Sequence, residues 1–172
     1  MKILFAAVVL FLATAFASAQ NDPNRPSFAA IAMDGTKIDT AELRGKVVVL
    51  NLWYINCPNC VDEIKLLNAL VDEYEDNKDV VFLGLAANPK TNLEKFLVKN
   101  PFKYQILPDS QMIIVSKFGT PGNNGELGLP FPMHYVLDRE GRIAAKAQGI
   151  KGIDAVKSEL KRQFASKSAT GK

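Results

Sequence analysis

Residues 47–60 read VVVLNLWYINCPNC, and this stretch decides the fold. Its first seven residues are almost continuously apolar, which is typical of a central strand that is covered on both faces. From Cys60 onward, apolar residues recur at spacings of four, three, four and three as far as Tyr74. This pattern predicts the buried face of an amphipathic helix. Because a second apolar run follows at 80–87, the order strand, helix, strand predicts a parallel sheet.

The rest of the chain adds strands and helices to this sheet. The dipeptide Asp34-Gly35 suits a tight hairpin turn. Residues 91–94 have the pattern of a capping box, which opens a helix that ends before Pro101. The remaining segments have the patterns of a strand (104–107), a helix (110–118), two antiparallel strands (133–137 and 142–147) and a final helix (153–164). The sequence therefore predicts an α/β fold, with a central mixed β-sheet flanked by helices, an N-terminal β-hairpin and an inserted strand–helix unit at 104–118.

Length, composition and charge indicate an ordinary globular protein. The chain has 172 residues, of which 48% are hydrophobic and 23% charged, as expected for one domain. Its formal net charge of +3 is too small to indicate nucleic acid or an anionic membrane surface as a partner. We therefore expect no nucleic-acid partner.

The N-terminus has the features of a secretory signal peptide. Lys2 precedes an apolar run at 3–16, and Ala17-Ser18-Ala19 follows it with small residues. The run is too short to span a bilayer, which needs about 20 apolar residues. We expect cleavage after Ala19 and export to the periplasm or another extracytoplasmic compartment. The predicted organisation is a signal peptide (1–19), a flexible segment (20–26), the folded domain (27–165) and a disordered tail (166–172).

Cys57 and Cys60 lie at the junction between the predicted strand and helix, which is where disulfide exchange needs them. Only a thiolate attacks a disulfide, and the unpaired N–H groups at a helix N-terminus stabilise that charge. Pro58 suits the first helical position, where its missing N–H costs nothing. This arrangement places Cys57 at the cap as an exposed attacking thiol, and Cys60 one turn later as the resolving thiol.

Two other interpretations of the cysteine pair are weaker. A purely structural disulfide would suit an exported protein, but a loop this small constrains the unfolded chain little. A zinc site would need four ligands, whereas Cys57, Cys60 and His134 are the only cysteines and histidine of the chain. We therefore expect no metal and no cofactor other than the redox-active disulfide itself.

Several motifs together resemble one known family. They are GKVVVLNLW (45–53), CPNC (57–60) with Glu63, Phe131-Pro132, and VLDREG (136–141). With these motifs, residues 28–149 resemble the TlpA/ResA-like thiol–disulfide oxidoreductases, which are extracytoplasmic members of the thioredoxin superfamily. The resemblance implies a thioredoxin-like fold. Two positions depart from the family pattern, since Asn56 stands where a Trp is common and Lys65 where a Pro often kinks the helix.

The resemblance also implies roles for residues near the cysteines. Glu63 would take or give the proton of the Cys60 thiol during resolution, and a solvated place on the helix is the alternative. Pro132 would be a cis-proline beside the cysteine pair, which leaves Phe131 to offer backbone groups to an extended client. Asn51 stands where cytoplasmic thioredoxins carry a buried Asp, and an amide cannot act as a base.

The predicted site thus has three catalytic residues, Cys57, Cys60 and Glu63, and a surface for clients. The expected client-binding residues are Trp53, Asn56, Pro58, Asn59, Phe131 and Pro132. For Trp53, a place in the core is the stronger alternative. For His134, packing within a half-buried strand is favoured over a catalytic or metal-binding role.

The leading hypothesis is an extracytoplasmic protein-disulfide oxidoreductase, more a reductase or isomerase than an oxidant. We expect protein thiols or disulfides as clients, a membrane-bound electron donor and a monomer, and some relatives serve cytochrome c maturation. Two alternatives share the fold. A peroxiredoxin-like peroxidase would carry Thr or Ser three residues before its reactive cysteine, where this chain has Tyr54. A Sco-like copper-binding protein would have three residues between its cysteines, whereas two residues separate Cys57 from Cys60.

Overall fold

The computed structural model describes residues 22–121, 127–128 and 131–169, and a five-stranded mixed sheet lies at its centre. The elements in chain order are β1 (Ala29–Ile31), β2 (Lys37–Asp39), β3 (Val47–Trp53), α1 (Pro58–Asp62), α2 (Ile64–Glu73), β4 (Val80–Ala86), α3 (Lys90–Lys99), β5 (Gln105–Leu107), α4 (Gln111–Phe118), β6 (Thr120–Pro121), β7 (Leu127–Gly128), β8 (Met133–Leu137), β9 (Ile143–Gln148) and α5 (Gly149–Ala169). The strand order of the central sheet is β5-β4-β3-β8-β9. Strands β3, β4 and β5 are parallel, whereas β8 is antiparallel to both β3 and β9. The predicted mixed sheet is confirmed, together with the inserted strand–helix unit formed by β5 and α4.

The N-terminal hairpin of β1 and β2 is also confirmed. Its strands pair antiparallel, and the turn contains Gly35 with φ +89°, a conformation that glycine adopts without steric cost. The Asp34 side chain accepts the Thr36 N–H at 2.9 Å and the Gln105 amide at 2.8 Å. The first bond lies within the turn, and the second ties the hairpin to β5 at the edge of the central sheet.

Strand β3 is the centre of the fold, because all seven of its residues are buried. Successive side chains of a strand point to opposite faces, so a strand covered on both faces must be apolar throughout. One face packs against α2 and α5, where Val49, Leu67 and Ile153 share a cluster. The other face packs against α4, where Leu50 and Ile114 share a second cluster.

The helix after the cysteines is interrupted where the sequence predicts a continuous one. Helix α1 ends at Asp62, Glu63 forms a turn with φ −85° and ψ −10°, and α2 begins at Ile64. The break occurs without a proline, since Lys occupies position 65. Because the Glu63 side chain is fully buried, the break carries a carboxylate inward.

Helix α3 begins at Lys90, whereas the capping-box pattern at 91–94 predicts a later start. The side chain of its N-cap residue, Pro89, makes no hydrogen bond to the first turn. The Lys90 N–H lies instead 3.3 Å from a carboxylate oxygen of Asp109, a residue distant in sequence. The predicted capping box is therefore wrong, because a tertiary contact satisfies this helix end.

Parts of both segments that flank the predicted domain are described in the structure. The segment predicted as flexible at 20–26 is attached to the domain from residue 22 onward, since Asn24 O accepts the Ile143 N–H at 2.7 Å and Pro26 is buried. At the other end, α5 continues to Ala169, beyond the predicted domain end at residue 165. The predicted signal peptide at 1–19 lies outside the described residues. Within the described part of the chain, no helix combines the length and apolar character needed to cross a membrane.

We predict that Gly84→Ala destabilises the fold, because β4 passes close to its neighbours at this position. An added Cβ would lie 2.6 Å from Cδ1 of Ile106 and 3.2 Å from both the Trp53 and Tyr104 rings. Overpacking of this kind costs about 1–3 kcal/mol, to be measured as a lower midpoint of denaturant unfolding. Gly128→Ala is the matched control, since its nearest contact would be 3.7 Å away. Equal midpoints for the two variants would contradict the prediction.

Candidate functional site

Cys57 and Cys60 form a disulfide at the start of α1. Cys57 is the N-cap residue, and its Sγ accepts the Cys60 N–H at 3.2 Å. Pro58 occupies the start of the helix, in agreement with the sequence. The strand–helix junction thus places one sulfur where a backbone N–H can stabilise its negative charge after reduction.

Both sulfur-bearing residues are buried, which corrects the expectation that Cys57 is exposed. Cys57 is 4% and Cys60 is 2% exposed. Tyr54, Ile55 and Phe131 are among the partly buried side chains that pack against the cluster that contains both cysteines. The cluster is otherwise apolar, with Trp53, Ala86, Leu93 and Ile106 as its buried members. A client must therefore reach the disulfide through a narrow exposed margin.

That margin consists of the residues that flank the cysteines. Asn56, Pro58 and Asn59 are exposed, as a client-binding surface requires. Phe131 is half-buried and meets the Tyr54 ring edge-on, with 5.2 Å between the ring centroids. The Phe131–Pro132 peptide bond is cis, as predicted, and Pro132 is buried.

Trp53 does not belong to this margin, although it is among the predicted client-binding residues. Its side chain is 1% exposed, stacked on Phe102 with 4.7 Å between ring centroids and tilted against Phe96 at 5.5 Å. The structure therefore places Trp53 in the core, the alternative interpretation, with no free indole face for a client.

The loop that leads into the cysteines is held by Asn88, a residue that the sequence did not single out. The Asn88 side chain accepts the Ile55 N–H at 2.8 Å. Beside it, the Ala87 N–H donates to Trp53 O at 3.0 Å, which continues the pairing of β3 and β4. The only sequence signal for Asn88 is its place directly after the apolar run of β4.

Glu63 is completely buried, which excludes the solvated helix position. Its Oε1 accepts a hydrogen bond from Asn51 Nδ2 at 2.9 Å. A buried carboxylate needs such partners, because removing its charge from water is costly. Glu63 therefore lies under the active-site helix in a polar cluster rather than in an apolar core.

His134 completes this cluster and is fully buried, although the sequence predicts a half-buried position. It lies directly opposite Asn51 in the antiparallel pairing of β3 and β8. Its Nε2 is 3.3 Å from Glu63 Oε2, and its Nδ1 is 3.5 Å from Asn51 Nδ2. Three polar side chains from two strands and one helix break are thus in mutual contact.

Tyr104, just before β5, extends the cluster on the side away from His134. Its hydroxyl donates to Asn51 Oδ1 at 3.3 Å. Burial, and to a smaller extent the charge of Glu63, holds the pKa of Tyr104 well above its ordinary value. The phenol therefore stays protonated and acts as a donor, which fixes the orientation of the Asn51 amide.

One sequence signal for this cluster is a single polar residue within an otherwise apolar strand. Asn51 is the only polar residue of β3, and it shares a sheet face with Val47 and Val49. Its pairing with His134 depends on the register of β8, which no local pattern specifies. Among the described residues, no group of three or more His, Cys, Asp or Glu side chains is placed to hold a metal ion.

Comparison with known proteins is consistent with this geometry. The model of the AhpC/TSA family matches residues 23–146. The thiol-disulfide oxidoreductase ResA of Bacillus thuringiensis subsp. konkukian (strain 97-27) is 25% identical over 138 residues, which cover 80% of this chain and 75% of that protein.

Solved structures show the same fold at lower sequence identity. A thiol:disulfide interchange protein of the thioredoxin family from Chlorobium tepidum TLS has a TM-score of 0.61 at 21% identity, covering 77% of this chain and 92% of that one. The exposed lipoprotein thioredoxin Etrx1 of Streptococcus pneumoniae strain TIGR4 has a TM-score of 0.65 at 19% identity, covering 79% and 98%. The predicted thioredoxin-like fold is confirmed.

Proposed function

The chain belongs to the AhpC/TSA family, and we propose that this protein-disulfide oxidoreductase acts outside the cytoplasm, through Cys57 and Cys60, as a reductase rather than an oxidant. One observation carries the proposal: a disulfide joins two cysteines at a strand–helix junction, with a buried carboxylate at the break of the same helix. The name of the similar ResA protein, a thiol-disulfide oxidoreductase, supports the same chemistry.

The proposed cycle moves two electrons from the cysteine pair to a client. The Cys57 thiolate attacks one sulfur of a client disulfide, forms a mixed disulfide and releases the other client sulfur as a thiolate. Cys60 then gives its proton to Glu63, and its thiolate attacks Cys57 Sγ. This second attack closes the Cys57–Cys60 disulfide and releases the second client thiolate. The client is reduced to two thiolates, which take up protons from water, and an external donor must reduce the pair again.

The reductase direction rests on the surroundings of the two sulfurs. A strongly oxidising pair is one whose reduced form is stabilised, chiefly through its thiolate. Here Cys57 and Cys60 share a buried cluster with Trp53, Leu93 and Ile106, and apolar neighbours disfavour a thiolate charge. Against this, Cys57 Sγ receives the Cys60 N–H, which supports the nucleophile without a full positive charge. The balance favours a pair that gives up electrons readily.

The extracytoplasmic location, the donor and the clients belong to the same proposal. The signal-peptide pattern at 1–19 supports export, as does the similar pneumococcal protein, which is named an exposed lipoprotein. Outside the cytoplasm the electrons would come from a membrane-bound donor, and the clients would be protein disulfides, including those met in cytochrome c maturation. We expect the protein to act as a monomer. A peroxidase role has less support, because Tyr54 stands three residues before Cys57 and packs against Phe131.

We predict that Cys60→Ser traps clients and that Cys57→Ser does not. Without the resolving thiol, the mixed disulfide formed by Cys57 cannot be released, so a covalent adduct with oxidised insulin should accumulate. Mass spectrometry of acid-quenched mixtures measures the adduct. An adduct with Cys57→Ser but not with Cys60→Ser would contradict the proposed function. So would the absence of an adduct with either variant, if the wild type also fails to reduce insulin.

We predict that Glu63→Gln slows the resolving step about 100-fold, near the lower end of what general acid–base catalysis contributes. The amide cannot take the Cys60 proton, whereas attack by Cys57 should change little. Quenched-flow measurement of mixed-disulfide formation and decay separates the two steps. Asp62→Asn is the matched control, because it makes the same charge change at the exposed neighbouring position. Equal effects of the two substitutions would remove Glu63 from the mechanism.

A further inference from the structure

His134 is a buried side chain of the site to which the proposed cycle gives no role. It is a fully buried titratable side chain, and its Nε2 has no aligned hydrogen-bond partner among the described residues. The same holds for Glu63 Oε2, and these two atoms face each other at 3.3 Å. Buried polar atoms are rarely left without an aligned partner in native structures. Because Nε2 of His134 and Oε2 of Glu63 are two such atoms and face each other, we consider a functional role for their contact.

The protonation of the imidazole follows from its neighbours. The Tyr104 hydroxyl donates to Asn51 Oδ1, so the amide nitrogen of Asn51 faces both Glu63 and His134. That nitrogen is a donor, and the nearby Nδ1 of His134 must therefore be an acceptor. In the neutral ring the proton is then on Nε2, the atom that faces the Glu63 carboxylate.

We propose that His134, in this tautomer, is the positioning residue that orients the Glu63 carboxylate for proton transfer with Cys60. The proposal rests on the proposed function, because it concerns the base of the resolving step. Asn51 binds Oε1 and His134 faces Oε2, so the carboxylate is held at both oxygens. The loose contact in the oxidised protein fits this role, since catalytic hydrogen bonds often align only when the reacting partner is in place.

The backbone around His134 is adapted to this placement. Helix α5 packs over the ring at Gly152, where an added Cβ would lie 3.3 Å from His134 Cδ2 and 3.0 Å from the Ala147 side chain. Cδ2 is bonded to Nε2, so the helix contacts the ring beside the atom that faces Glu63. The ring is therefore confined between α5 on one side and the Asn51–Glu63 pair on the other.

The test compares substitutions at His134 in the purified full chain, with oxidised insulin as the client. His134→Leu removes the donor to Glu63 at similar volume and should slow mixed-disulfide decay about tenfold or more, the expected effect of losing one hydrogen bond to a charged group. Formation of the mixed disulfide should stay within about twofold. His134→Gln can still place an N–H near Oε2 and should recover most of the lost rate. His134→Asn is too short to reach Oε2 and should behave like His134→Leu.

A double substitution distinguishes positioning from a general structural effect. In the Glu63→Gln protein, His134→Leu should cause no further slowing of decay, because both changes remove the same contribution. Additive effects, or equal slowing of formation and decay in His134→Leu, would overturn the inference. Should His134→Leu fail to fold, the comparison of Gln with Asn decides, and equal decay rates for these two would overturn it. If the wild type does not reduce insulin, the proposed function itself is overturned. If Glu63→Gln slows mixed-disulfide decay but His134→Leu does not, only this inference is overturned.

Discussion

The buried carboxylate of Glu63 is the constraint on which the rest of the site depends. A buried carboxyl group needs hydrogen-bond partners, and the sheet supplies them by pairing β3 with β8 so that Asn51 and His134 lie side by side. Glu63 lies at the break between α1 and α2, with its side chain buried. Gly84 leaves room for the Tyr104 ring that orients Asn51, and Gly152 lets α5 pack against His134. Cluster, helix break and glycines are thus parts of one arrangement.

This arrangement separates the two tasks of a dithiol reaction. Cys57 is stabilised from the backbone, by the Cys60 N–H, in a place that a client reaches past Asn56, Pro58 and Asn59. In the proposed cycle, proton transfer belongs to the buried Asn51–Glu63–His134 cluster at the break of the same helix. Both sulfurs lie in an apolar cluster, which disfavours a thiolate charge, and the proposed reductase direction rests on this.

Local patterns were sufficient for the sheet, the hairpin and the cysteine pair, because each depends on residues close in sequence. The apolar run of β3, the Asp34-Gly35 turn and Pro58 at the helix start all behave as predicted. The differences from prediction have a common cause in tertiary contacts. A carboxylate oxygen of Asp109 accepts the Lys90 N–H at the start of α3, and residues 22–26 attach to β9 through Asn24. Trp53 and Cys57 share a buried cluster against which aromatic side chains pack. In the Asn51–Glu63–His134 cluster, the β3–β8 register brings His134 beside Asn51, and the packing of the helix break on β3 brings Glu63 to the Asn51 amide.

The reduction potential of the Cys57–Cys60 pair is the most direct measure of whether this site is a reductase. Purified protein would be equilibrated in redox buffers of defined potential, and the free thiols alkylated and quantified by mass. The apolar surroundings of both sulfurs predict a value of about −270 mV, as in thioredoxin. A value of about −120 mV, as in a strong oxidant, would contradict the reductase assignment. A pair that stays oxidised in excess dithiothreitol would contradict a redox role altogether.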